Sequence, residues 1–191
     1  MVDSTGLRNP RLQGLVEKAA HNDAEARRVA GDLSPDRLRW RPPGGGWGVG
    51  DCLEHLVASA EIYCSRAAPA VERARAAGGE AVYRGWGKTL GGRLLLFAVG
   101  SKLRVPAPRR IQPPPEPGLD ALDRFLDRQR EVVELMRAAD GLDLGRIGFP
   151  SPVNALFRLN LGEAFEVLQV HAARHLAQAR RVRESDGFPA S

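Results

Sequence analysis

LGEAFEVLQVHAARHLAQARRV, residues 161–182, decides how this chain folds. Past Gly162 it holds no glycine or proline, and Ala164, Leu168, His171, His175 and Gln178 recur at helical spacing along one strip. Asn160 precedes it and suits the N-cap, so the sequence predicts a helix from Leu161 to about Arg183. His171 and His175 are one turn apart on it, with roughly 400° of rotation and about 6 Å of rise between them. Both imidazoles therefore leave the same face, in line with core residues, and can close on one ion.

Working outward, three further helical patterns appear. The first runs from about Pro10 to Ala30, with Leu12, Leu15, Val16, Ala19, Asp23 and Ala26 as its stripe. Gly31 breaks it, and Ser34-Pro35 restart a short turn, since proline suits the first helical position. The loop of residues 39–50 carries Trp40 and Trp47, whose rings are expected to anchor it against the helices. A second helix is expected from Val49–Asp51 to about Ala77, with Asp51 complementing its dipole. Cys52, His55, Ser59 and Ile62 share a strip on it, and Cys64 lies nearly opposite His55. The third pattern runs from about Leu119 to Ala139, where Leu119, Leu122, Phe125, Leu126, Gln129, Val133 and Met136 are spaced for a bundle seam. The sequence thus predicts an all-α protein, a four-helix bundle formed by residues 1–191 as one domain.

Two stretches resist this pattern. Residues 80–118 read as an insertion between helices two and three: KTLGGRLLLFAVGSKLRV, then the proline-rich PAPRRIQPPPEPG. Its apolar part, Leu94 to Val99, is too short to cross a bilayer and is expected to form a short helix packed on the bundle. The prolines read as a semi-rigid connector. Residues 141–160 are irregular.

Composition narrows the function classes. The chain is 43% apolar and 27% charged, as in a globular protein, and its +5 charge comes from arginines scattered along helices, which marks solvated faces and argues weakly for nucleic acid. Cys52 and Cys64 lie twelve residues apart on one helix, roughly 18 Å along its axis, and cannot pair with each other. With no disulfide framework and no apolar stretch in the N-terminal residues, a reducing, cytoplasmic setting is the expectation, without a membrane span.

The chemistry rests on three imidazoles, His171 and His175 with His55 in GVGDCLEHLV, residues 48–57. Neutral imidazole binds Zn, Ni, Cu or Fe(II), with Zn–N about 2.0–2.1 Å, and three such ligands leave a position open for water or substrate. The alternative is three hydrogen-bonded core histidines. His21 falls off the apolar stripe of helix one and reads as a surface residue. Cys52 reads as a small buried hydrophobe or else a further ligand, and Gln178 as a group that orients an imidazole.

LSPDRLRWRPPGGGWGVGDCLEHLVASAEIY, residues 33–63, resembles the opening signature of the DinB-like superfamily, in which a Trp-containing loop leads into a helix bearing His-Leu. LGEAFEVLQVHAARHLAQARRV resembles its closing signature, H-x-x-x-H-L-x-Q. The resemblance implies a four-helix bundle of unusual connectivity, a divalent metal, zinc or nickel, held by His55, His171 and His175, and a frequent homodimer. Where relatives have Trp-Ser at the start of helix two, this chain has Trp47-Gly48. Characterised relatives include thiol-dependent transferases and isomerases, and others are described as metal-dependent hydrolases.

Three functional classes follow. The first is a metal-dependent enzyme activating a low-molecular-weight thiol or a water toward a small-molecule substrate, with Arg174 or basic residues of the insertion receiving an anionic group. No general base is assigned; Asp51, Glu54 and Tyr63 are near His55 only in sequence. The second is a non-catalytic metal-binding stress-response bundle. The third is a membrane-surface or nucleic-acid binder acting through residues 88–110, marked by salt-sensitive binding. No nucleic-acid partner is expected on balance.

Overall fold

Pro10 opens the first helix, α1 (Pro10–Ala30), because a proline at the first helical position loses no hydrogen bond that the helix would make, and the Asn9 side chain takes the amides of Arg11 and Leu12. The computed structural model describes residues 6–78, 85–100, 106–152 and 155–190. A single turn, α2 (Pro35–Arg39), leads to the long α3 (Val49–Ala76). Then come α4 (Leu90–Gly100), a 3-10 turn at Arg109–Ile111, α5 (Ala121–Ala139), a two-stranded antiparallel hairpin of β1 (Gly148–Pro150) and β2 (Arg158–Asn160), and α6 (Leu161–Arg183). The fold is all-α apart from that hairpin.

Several expectations meet the structure closely. Helix α6 begins at Leu161 behind a reciprocal cap, with the Glu163 amide donating to Asn160 Oδ1 and the Asn160 amide to Glu163 Oε2, both at 2.9 Å. The apolar part of the 80–118 stretch forms α4, packed on α6. Others need correction. Helix α5 starts at Ala121, two residues late, because the Ala121 amide turns back to the Gly118 carbonyl, and Leu119 lies outside the seam, 54% exposed. The irregular 141–160 stretch holds the hairpin, whose strands are too short to show alternation. The proline-rich stretch is more than a connector, since it contains the 3-10 turn that reaches the functional site.

Four helices make the body. Each of α1 and α3 packs against both α5 and α6, so α1 and α3 sit on one diagonal. Two apolar clusters fill its ends. One gathers Leu12 and Val16 of α1, Tyr63 and Val71 of α3, Met136 of α5 and Phe165 of α6. The other gathers Val29 of α1, Leu53 of α3, Phe125 of α5 and Leu176 of α6. Their membership fixes the directions: α1 and α6 run one way, α3 and α5 the other. Two consecutive long helices that run parallel need a return across the bundle, about 40 Å for the 28 residues of α3. Of the residues between α3 and α5, the described α4 and the 3-10 turn lie along that return.

Between the two clusters lies a polar layer. Asn22 Nδ2 donates to Gln169 Oε1 at 2.9 Å, and the side-chain amides of Gln129 and Gln169 exchange contacts at 3.3 Å, all fully buried. Ser59 of α3 and His171 of α6 line a small space together with Gln129 of this layer.

A buried cluster of three histidines

The antiparallel run of α3 against α6 carries His55 to the turn of α6 that bears His171 and His175. Ring centroids are 4.8 Å apart for His55 and His171 and 4.6 Å for each other pair, and the rings meet edge to face. One ligand atom from each lies within 4.8 Å of the others, and no carboxylate belongs to the group. His55 and His175 are buried, and His171 is half-buried.

Hydrogen bonds decide which nitrogens face inward. His55 Nδ1 lies 2.5 Å from the Ile111 carbonyl, which can only accept, so that nitrogen carries the proton and Nε2 keeps its lone pair. His175 Nδ1 lies 3.1 Å from Gln178 Oε1, which fixes the same tautomer there. His55 Nε2 and His171 Nε2 are 3.0 Å apart. Two nitrogens on a tetrahedral zinc lie about 3.3 Å apart, given bonds of 2.0–2.1 Å. The donor set therefore fits a divalent ion of that size.

Burial governs the electrostatics. It holds His55 below the usual imidazole range against the opposing pull of the Ile111 carbonyl. Burial, then the neighbouring His175 and His55, put His171 well below it, and burial takes His175 down to about 3. Arg174 adds to each depression. All three rings are neutral at pH 7, the form that coordinates a metal.

Loop and connector complete the surroundings. The Trp47 ring leans on His55 at 4.6 Å and on His175 at 5.5 Å, while Trp40 packs edge-on against Phe188 at 5.3 Å. The tryptophans anchor the loop as expected, and Trp47 also walls the cluster. The loop closes on Gly48, where a Cβ would stand 2.1 Å from the Trp40 carbonyl. Glycine in place of the usual serine is thus a steric requirement here, and the cap passes to Asp51, whose carboxylate accepts the Gly48 amide at 2.9 Å.

The other residues read from the sequence go elsewhere. Cys52 packs among the apolar side chains of the second cluster, and burial raises its thiol, so it does not join the histidines. Asp51 pairs with Arg41 at 2.7 Å, and Glu54 takes Arg124 and the Gly118 amide. Tyr63 lies in the first cluster, its phenol pushed up to about 12 by burial. Gln178 orients His175 as expected, and His21 is exposed. Arg174 donates to the Ala98 and Val99 carbonyls at the end of α4, at 2.7 and 3.3 Å. A small cavity of about 10 Å³, room for about one water, lies beside His171 and is lined by Ser59, Arg128 and Gln129 among apolar neighbours. Sequence reasoning missed Ile111, because a backbone carbonyl leaves no mark in the side chain that bears it.

With the cluster described, comparison with known families is decisive. The DinB superfamily model matches residues 20–179, a span that contains all three histidines and most of the bundle. The chain belongs to the DinB superfamily. Comparison with curated proteins and with solved structures gave no match. As in the superfamily signature, a Trp-containing loop precedes the first histidine, and the H-x-x-x-H pair lies on the last long helix. Among the described residues, no helix is long and apolar enough to cross a membrane.

Proposed function

We propose that His55, His171 and His175 are the ligands of one divalent ion, zinc or nickel, and that this DinB-superfamily protein is an enzyme acting on a small-molecule substrate with a low-molecular-weight thiol, as a transferase or isomerase, or with water, as a hydrolase. The observation that carries this reading is the convergence of three neutral imidazoles from two helices, two buried and one half-buried, with no carboxylate joining the group among the described residues. An ion held by three neutral ligands keeps its full charge and an open position, and so would lower the pKa of a thiol or water brought to it. Ile111 and Gln178 hold two rings with Nε2 inward. Trp47 shields His55 and His175 from solvent. The cavity beside His171, edged by Ser59, Arg128 and Gln129, has room for about one water.

A second reading, a metal-binding bundle without turnover, is favoured by the tightness of that cavity. There the ion would serve to tie α3 to α6. Conjugation of a panel of thiols with electrophiles, and hydrolysis of a matched ester and amide panel, separates the two. Rates that fall to background on chelation and in a His175→Ala variant are expected for the enzyme; rates equal to those of metal-stripped protein across both panels favour the inert bundle.

A further inference from the structure

Helix α4 has two apolar faces, and the bundle uses one. Gly91, Gly92, Leu95, Leu96 and Val99 turn toward α6 and the hairpin, at a separation so small that a Cβ on Gly92 would overlap the Glu163 carboxylate at 2.0 Å and one on Gly91 would meet the Arg158 carbonyl at 2.9 Å. Thr89 fixes the start of the helix by donating to Glu163 and to the Arg158 carbonyl. Because the inner face is seated so closely, the outer face has one orientation. It carries Leu90, Leu94 and Phe97, at spacings of four and three, within a sector of about 60°. They are 76, 48 and 67% exposed, which makes them three of the five large apolar side chains most exposed among the described residues. A fourth, Leu156, lies in the hairpin that packs on Gly91.

Charge indicates what covers this face. Residues 81–115 hold seven Lys and Arg and no Asp or Glu. Arg93 borders the apolar stripe and is exposed, as are Arg109 and Arg110 in the connector and Arg158 beside Thr89. Lys88 alone of the described basic residues here has an acidic partner in hand, Glu166 at 2.9 Å. A second copy of the chain seated on the same face would set these arginines against their own kind, with no acid in the segment to separate them. Nucleic acid would demand basic groups at the centre of the surface, where Leu94 and Phe97 stand. An apolar centre with a cationic border matches a bilayer whose headgroups are anionic.

We propose that the outer face of α4, centred on Leu90, Leu94 and Phe97 and bordered by Arg93, docks the protein on an anionic lipid surface. Arg174 links this helix to the histidine cluster by holding the carbonyls of its last turn, so docking would bring the cluster close to the membrane interface.

Co-sedimentation of the full chain with sucrose-loaded vesicles tests it. Binding should exceed that to pure phosphatidylcholine by about tenfold when roughly a third of the lipid is phosphatidylserine, and should weaken as salt rises. A Leu94→Ser/Phe97→Ser double variant and, separately, an Arg93→Glu variant should each lose about tenfold in partitioning while melting at the parent temperature, because these side chains are exposed. Equal partitioning to the two vesicle types, or variants that bind like the parent, would overturn the proposal. So would a parent that sediments as a dimer and becomes monomeric in the double variant without binding vesicles, or one that prefers duplex DNA to the charged vesicles.

Discussion

At the scale of single residues, the cluster works because each imidazole has had its tautomer or its charge decided by a neighbour. A histidine in an apolar helix face is costly if protonated, and three together are costlier, so the folded chain refuses protons that the unfolded chain accepts near pH 6.5. The sign follows directly. Folded values lie below the unfolded value, so this contribution to the stability of the metal-free protein is complete above about pH 6.5 and falls as pH drops toward the value of about 3 at His175. Thermal melts of chelator-stripped protein should therefore decline steadily between pH 7 and pH 4, and a His55→Leu/His171→Leu/His175→Leu variant should decline much less. Parallel curves for the two would remove the histidines from that account.

The same scale shows what the sequence could reveal. His171, His175 and Gln178 were legible because helical spacing alone puts them on one strip, and His55 was legible through the signature that surrounds it. Ile111 was not, since its contribution is a carbonyl. Asn22 was not either: the apolar stripe pointed to Asp23, whereas the side chain that meets Gln169 inside the bundle is Asn22. Spacing locates a helix face to within a residue, and a buried amide pair is recognised only once its partner's helix is in place.

Among elements, the starts of α3 and α6 show two solutions to one problem, the unpaired amides of a helix N-terminus. Helix α6 uses an asparagine and a glutamate in reciprocal bonds, and the Glu163 carboxylate then also holds Thr89 at the start of α4. Helix α3 has no side chain at its cap and relies on Asp51, because the approach of the Trp40 carbonyl excludes a Cβ at Gly48. Two substitutions separate these cases. Asn160→Ala should cost about 1 kcal/mol in urea unfolding. Gly48→Ala should cost about 1–3 kcal/mol, through displacement of the Trp loop, and should also loosen Trp47 from His55. A neutral Gly48→Ala would mean that the loop does not close on that residue. The helix starts at 49 and 161 were readable from these same residues, whereas the start of α5 was misplaced by two because Leu119 continues the apolar spacing into a turn.

For the whole molecule, the order of helix directions explains both the long connector and the position of the site. With α3 and α5 parallel, the chain must travel back along the bundle between them, and on that path it supplies α4 beside α6 and the 3-10 turn beside His55. The described residues between α3 and α5 thus supply part of the cluster's surroundings, the Ile111 carbonyl and the helix end that Arg174 holds. With α3 and α6 antiparallel, a histidine in the first third of one meets two in the middle third of the other. Four amphipathic helices were readable from apolar spacing, but their directions were not, because a stripe states which face is buried and says nothing of the neighbour that buries it.

The central claim is that His55, His171 and His175 bind one divalent ion. Elemental analysis of protein purified without a histidine tag, beside a His171→Ala variant of matched secondary structure, tests it most directly. The account predicts close to one zinc or nickel per chain in the parent and a small fraction of that in the variant; equal metal content in the two, or none in the parent after incubation with either ion, would contradict it.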